Sequence, residues 1–213
     1  MRYIAFSLLV TLSISVNAAE IILAGFGDGY CDNIESQFCI SLLVEGEIIP
    51  GDSKKLEDKM SAATKVFLDK GMKARVGVVY FNSDGGDLIE GLKLGRVIRA
   101  ALAKTMVDKA SHCYSSCVFA FAGGVWRLPV GEVGIHSFYA KEAYNAADFK
   151  NTSERYNRIS KVVNEFLLEM RINRSLLDTM IQIPSKSMKV LSYEELQIFG
   201  LFGGDPVYST LLK

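Results

Sequence analysis

Ser115 stands between two cysteines in the run Cys113-Tyr114-Ser115-Ser116-Cys117, just ahead of an apolar stretch at 118–124. A serine where a strand passes into a helix holds its hydroxyl clear, and the next peptide N–H can help carry an oxyanion. The plainer alternative for Ser115 or Ser116 is a helix N-cap. Asn82-Ser83-Asp84-Gly85-Gly86 follows a β-branched and aromatic run at 75–81 and precedes a stretch with helical spacing. Paired glycines let the chain turn tightly and leave peptide N–H groups unshielded. At a helix start such groups face an anion. The alternative is an ordinary tight turn; no Lys-Ser/Thr follows, so this is not a phosphate loop. The chain has two histidines, His112 and His136. His136 closes Val133-Gly134-Ile135 and is either a general base or a core residue. His112 lies three residues before Ser115 and is a rival base. Closeness in sequence is a poor guide, because triad members usually meet through the fold.

These parts can meet only if the elements between them bring them together. The pattern predicts strands at 38–44, 75–81, 105–107 and 133–135, with a shorter one in 20–29. Helices are predicted over 54–70, 88–102, 118–123, 151–172 and 173–181, with Pro50, Gly51 and Asp52 as turn and cap residues before the first. Ser192-Tyr193-Glu194-Glu195 has the form of a capping box opening a last short helix that Gly200 ends. Trp126 and Arg127 read as packing and turn-capping residues, and Tyr139 and Tyr144 as part of a polar surface loop or a lid. The alternation implies parallel βαβ units with right-handed crossovers. Ligands then gather at the carboxyl ends of the strands, where the glycine loop sits.

The 213 residues suit one domain, and 49% apolar content supplies a core. Twenty-four basic and 24 acidic side chains leave no net charge, which excludes a strong basic field for nucleic acid. Arg2, an apolar run at 4–16 and the small residues Val16-Asn17-Ala18 describe a secretory signal peptide cleaved after Ala18. The run is too short to span a bilayer, so membrane contact is expected through the signal peptide alone. The expected location is periplasmic or secreted. There the four cysteines read as disulfides. Three pairings exist, and the most local joins Cys31 to Cys39 and Cys113 to Cys117. A zinc site is weaker, since neither pair has C-x-x-C spacing, and Cys39 could instead be a buried thiol. No cofactor or metal is called for.

The order of glycine loop, serine at a helix start and histidine, each after an apolar strand, resembles the Clp-protease and crotonase superfamily over about residues 40–201. Asn82-Ser83-Asp84-Gly85-Gly86 is similar to the family's Asn-Ser-Pro-Gly-Gly oxyanion loop, with Asp84 in place of Pro. Ser115 with Ala122-Gly123-Gly124 resembles the nucleophile helix of the Clp peptidase, and the spacing favours Ser115 over Ser116. Val133-Gly134-Ile135-His136 resembles the His-bearing strand. Leu191-Ser192-Tyr193-Glu194-Glu195-Leu196 with Gly200-Leu201 resembles the C-terminal Leu-Ser-x-x-Glu-Ala…Gly-Leu segment. The Cys-x-Ser-x-Cys arrangement is similar to that of exported bacterial Clp-protease-like proteins. The resemblance implies an α/β fold of stacked ββα units with a parallel sheet and a helical C-terminal part.

It also implies a serine peptidase acting on peptide or unfolded protein. Ser115 would be the nucleophile, His136 the base, and Gly85, Gly86 and Ser116 the oxyanion donors. A Cys113–Cys117 disulfide would brace the nucleophile turn. The family's catalytic Asp falls here on Met188, which cannot orient an imidazole; Ser187 beside it could, more weakly. Otherwise a Ser–His dyad works alone, or an acid comes from elsewhere in the fold. Lys186 and Lys189 bracket the position, as a Ser–Lys relative would need, but nothing in the sequence places either near Ser115. A peptide-binding scaffold on the same fold is the alternative, and an acyl-thioester enzyme ranks last, since an exported protein rarely meets coenzyme A. Relatives form trimers or rings, so a homo-oligomer is an expectation by analogy; a monomer fits the composition equally.

Overall fold

The computed structural model describes residues 18–27, 37–138 and 149–208. Residues 1–17 of the expected signal peptide, which ends at Ala18, fall outside them, as do Cys31, Tyr139 and Tyr144. The main sheet starts with strand β1 (Glu20–Gly27), antiparallel to β2 (Gln37–Glu45). Next to β2, and parallel to it, is β3 (Lys73–Asn82). Val76, Val78, Val79 and Phe81 of β3 are buried, the continuous apolar run expected of a parallel strand covered on both faces. Helix α1 (Asp52–Leu68) makes the crossover between β2 and β3. Helix α2 (Leu88–Ala100) leads from β3 to β4 (Lys104–Val107).

From β4 the chain feeds two sheets alternately. β5 (His112–Tyr114) enters a second, three-stranded sheet. Helix α3 (Cys117–Ala122) returns the chain to the main sheet as β6 (Trp126–Pro129), and β7 (Glu132–Ile135) goes back to the second. Helices α4 (Phe149–Glu169) and α5 (Ser175–Met180) form the helical C-terminal part. β8 (Lys189–Val190), α6 (Tyr193–Phe199) and β9 (Gly203–Gly204) complete the chain. The main sheet runs β1-β2-β3-β4-β6-β9, parallel from β2 to β6, and the second β5-β7-β8. This is the expected arrangement of stacked ββα units.

Helices α2 and α3 pack backbone against backbone. A Cβ on Gly95 would lie 2.6 Å from the Phe119 carbonyl oxygen, and one on Gly123 would lie 2.2 Å from that of Gly95. The missing side chains therefore fix how deeply α3, and the serines before it, sit in the molecule.

Glu90 ties α1 to α2. Its carboxylate, 1% exposed, accepts hydrogen bonds from the Ser53 N–H (2.7 Å) and hydroxyl (2.6 Å) and faces Lys93 at 3.2 Å. Burial alone would push this carboxyl up, but the bonds from Ser53 and the Lys93 charge outweigh it and hold it below the usual glutamate range. A lowered folded pKa contributes stability that is present above the unfolded value and lost as pH falls through the folded one. Ser53→Ala is accordingly expected to cost about 1.5–3 kcal/mol at pH 7. The penalty should shrink progressively below ~pH 4, read from urea melts at both pH values. An equal penalty at pH 7 and pH 3 would contradict this account.

The differences from the sequence reading are short strands and element ends. β5, β6, β8 and β9 were not foreseen, because two to four residues carry too little period to detect. Trp126 and Arg127 belong to β6 rather than to a turn; Arg127 is 2% exposed. α2 stops at Ala100, and Leu102 beyond it adopts a left-handed φ of 52°. The capping box at Ser192 and the left-handed Gly200 after α6 are as expected.

Candidate active site

The parallel register of β5 and β7 brings the serine and the histidine together. Cys113 pairs with Val133 and Tyr114 with Gly134, and the Ser115 N–H donates to the Gly134 carbonyl at 2.9 Å. Ser115 thus leaves the ladder beside the last residues of β7, one step before His136. It does so with φ of 56°. That left-handed conformation is costly for a residue with a Cβ and survives only where the surroundings over-determine it. Here they do: Cys113 and Cys117, on either side, are joined by a disulfide with Cα atoms 5.3 Å apart. Cys39 is disulfide-bonded too, which removes the buried-thiol alternative for it.

The glycine loop closes over this elbow. Ser83 bridges to Cys113, with its N–H on the His112 carbonyl and its carbonyl accepting from Tyr114. Gly85 has φ of 94°, and a Cβ on it would meet the Tyr114 carbonyl oxygen at 2.6 Å, Ser115 Cβ at 2.8 Å and the Ser116 nitrogen at 2.9 Å. Gly85→Ala is therefore expected to cost about 1–3 kcal/mol and to displace the elbow. A thermal melt within 1 °C of the parent would refute the close approach.

The two loop amides are not equivalent. The Gly85 N–H donates to Ser83 Oγ at 3.1 Å, and its carbonyl accepts from Ile48. The flanking bonds of Ile48 to Gly85 and Asp87 turn the Gly86 N–H to the opposite side, away from Ile48. Among the described residues neither the Gly86 nor the Ser116 N–H meets an acceptor. Both residues line one cavity of about 340 Å³ with Ser115 and His136. Leu88, Ile89, Phe119, Phe138, Ile159 and Met180 line it beside the polar Asp87, Ser137, Arg155 and Ser185.

His136 Nδ1 lies 2.7 Å from the Ser137 carbonyl oxygen. A carbonyl can only accept, so Nδ1 is the protonated nitrogen; in the neutral ring the lone pair is then on Nε2, the tautomer a general base needs. The Ser115 hydroxyl and the imidazole are not hydrogen-bonded to each other; unliganded sites commonly show such looseness. Ser187 is exposed and outside the cavity, while Ser185 lines it. Met188 packs against Gly134. Sequence reasoning missed the Ser137 carbonyl, because a backbone acceptor leaves no trace in residue type.

The other candidates go elsewhere. His112 points its Nε2 at Asp84 (3.0 Å) and stacks on Tyr114 at 4.5 Å between centroids. Tyr114 donates to Glu132, which pushes its phenol up to about 12, burial and the nearby carboxylates adding. Lys189 pairs with Glu195 at 2.5 Å, and neither it nor Lys186 lines the cavity. Neither serine hydroxyl caps α3: Ser116 occupies the N-cap position with φ of −63° and makes no capping bond.

No family model and no curated protein matches the chain. Among solved structures, a mutant of ClpP1 from Listeria monocytogenes matches with a TM-score of 0.50 at 15% identity, over 76% of this chain and 88% of that one. The protein has a Clp-protease-like fold.

Proposed function

On that fold, we propose that the protein is an exported serine peptidase-like hydrolase. Ser115 attacks a peptide carbonyl, His136 Nε2 takes its proton, and the N–H groups of Gly86 and Ser116 hold the oxyanion. The observation that carries the reading is Ser115 itself: a non-glycine residue held left-handed between disulfide-bonded neighbours, in one cavity with the imidazole. Gly85 supports the site by its closeness rather than by donating. The mixed apolar and polar lining suits an extended peptide or unfolded segment. The signal-like start and the Cys113–Cys117 bond support a periplasmic or secreted location.

The second reading is a peptide-binding scaffold with a weak or silent site. Met188 at the acid position and the missing Ser115–His136 hydrogen bond favour it. A fluorophosphonate probe decides between them. The peptidase reading expects stoichiometric labelling on Ser115, abolished by Ser115→Ala and slowed by His136→Ala. An unlabelled, folded protein that still binds peptide would leave the scaffold.

A further inference from the structure

Arg155 puts a permanent positive charge on the wall of the candidate site. It belongs to α4, whose inner side descends into the core. Val163 and Phe166 there are fully buried, and the Phe166 ring meets Phe119 of α3 edge-on, 6.0 Å between centroids. Residues four apart share a helix face, so Ile159 and Arg155 follow Val163 outward on that side. At 1.5 Å of rise per residue, Arg155 stands about 12 Å along the axis from Val163. Burial falls along the same path: Ile159 is half-buried and Arg155 exposed, and both line the cavity with Ser115 and His136. α4 thus walls the cavity from Phe119 inside to a guanidinium at the rim. Among the lining residues Arg155 is the one side chain that is cationic at any ordinary pH, and Asp87 is the one carboxylate. Asp87 is already committed. Its Oδ1 accepts the Glu90 N–H at 2.7 Å as the N-cap of α2, where the positive end of the helix offsets its charge.

We infer that Arg155 is a specificity-determining residue of this cavity, selecting substrates that carry a carboxylate near the bond to be cut; this rests on the peptidase reading above. The carboxylate belongs to an acidic side chain or to the end of the substrate chain. A guanidinium offers paired N–H groups spaced to meet both oxygens of a carboxylate. Its long stem lets an exposed head follow a bound chain at the rim while the stem stays against apolar neighbours. Ile159 and Phe138 in the same lining supply such neighbours and keep part of the water away, which strengthens the attraction. An amide in place of the carboxylate keeps the size and the acceptor oxygen but loses the charge, so it isolates what Arg155 reads.

The test uses unstructured fluorogenic peptides in matched pairs. One set differs only by Glu or Gln at a single position, moved through three residues on either side of the cut. The other differs by a free or amidated carboxyl end. The reading is the ratio of kcat/KM for the acid to that for its amide, on parent, Arg155→Gln, Arg155→Lys and Arg155→Glu proteins. That ratio compares two peptides on one protein, so it does not depend on how much of a variant is folded. The parent is expected to favour the acid by about 5- to 10-fold in one of the pairs. Arg155→Gln should bring the ratio near one, Arg155→Lys should restore part of it, and Arg155→Glu should invert it. Preference within the Glu/Gln set names an acidic side chain, and preference confined to the other set names a chain end. The inference is overturned if every parent ratio lies within twofold of one, or if Arg155→Gln keeps the parent's ratio. A parent preference for the amide overturns it too and gives the cavity's polarity to Asp87. If hydrolysis depends on Ser115 but shows no preference, only this inference falls. If the parent neither hydrolyses nor takes a fluorophosphonate, the peptidase reading falls, and anisotropy of the same labelled pairs bound to the parent decides the role of Arg155. Tighter binding of the acid that Arg155→Gln removes then keeps that role; equal binding, or none, ends it.

Discussion

On the peptidase reading, Ser115→Ala and His136→Ala are each expected to lower kcat for peptide hydrolysis by on the order of 10³- to 10⁴-fold, with the double variant no worse than either. The non-additivity follows from that reading, in which the two side chains perform one proton transfer and losing one idles the other. The magnitude follows from the third position. Removing nucleophile or base from a complete triad costs roughly 10⁶, and losing the acid alone about 10⁴, so a bare dyad would retain only about 10² over its knockouts. Here Nδ1 faces the Ser137 carbonyl at 2.7 Å. That acceptor fixes the tautomer as the missing acid would, but it carries no charge to stabilise the imidazolium. An intermediate loss is therefore expected. Steady-state kinetics on the three variants measures it; a drop below tenfold for Ser115→Ala, or additive losses in the double variant, would contradict the mechanism.

Asp205→Ala unfolds the protein at markedly lower temperature, with a loss of about 3–5 kcal/mol. Asp205 and Arg99 are buried side by side, Oδ2 to Nη1 at 2.9 Å, with Arg171 3.4 Å from the other carboxylate oxygen. Arg127, also buried, is pushed down to about 9 by burial, the Arg99 charge adding and Asp205 opposing. The two inner guanidiniums gather the ends of the helices. Arg99 donates to the Gly123 carbonyl at 2.8 Å, while Arg127 donates to Ala122 (3.0 Å), Met170 (2.8 Å) and Gly200 (2.8 Å). Without Asp205, two like charges remain in the interior with carbonyl dipoles and, for Arg99, the face of the Tyr208 ring 5.0 Å away. For a chain of this length the thermal midpoint should fall by roughly 10 °C, measured by circular dichroism. A fall under about 2 °C would show that the carbonyls and the Tyr208 ring suffice.

This buried cluster was hardly legible in the sequence. Arg127 and Asp205 are ordinary residue types in ordinary surroundings, and only the packing of α2, α3, α4 and α6 makes them neighbours. The same holds for β5 and β6, whose strand character comes from the ladder they join rather than from any period of their own. By contrast the capping box of α6 and the buried strand β3 were readable, because each is a local pattern whose physics acts within a few residues.

The candidate site divides along the same line. Residue type and chain order alone determined which groups could act: a serine between cysteines, a glycine pair after a buried strand, and a histidine closing another. Only the family resemblance, not residue type, pointed to Met188 as the position of the missing acid. The tertiary structure decided which of these share a cavity, because a parallel register between β5 and β7 is a long-range pairing that no local signal encodes. It decided that Gly86 rather than Gly85 has an open N–H, since that depends on which way each peptide faces Ile48 and Ser83. And it put a backbone carbonyl beside Nδ1, a partner invisible in any sequence because every residue carries one.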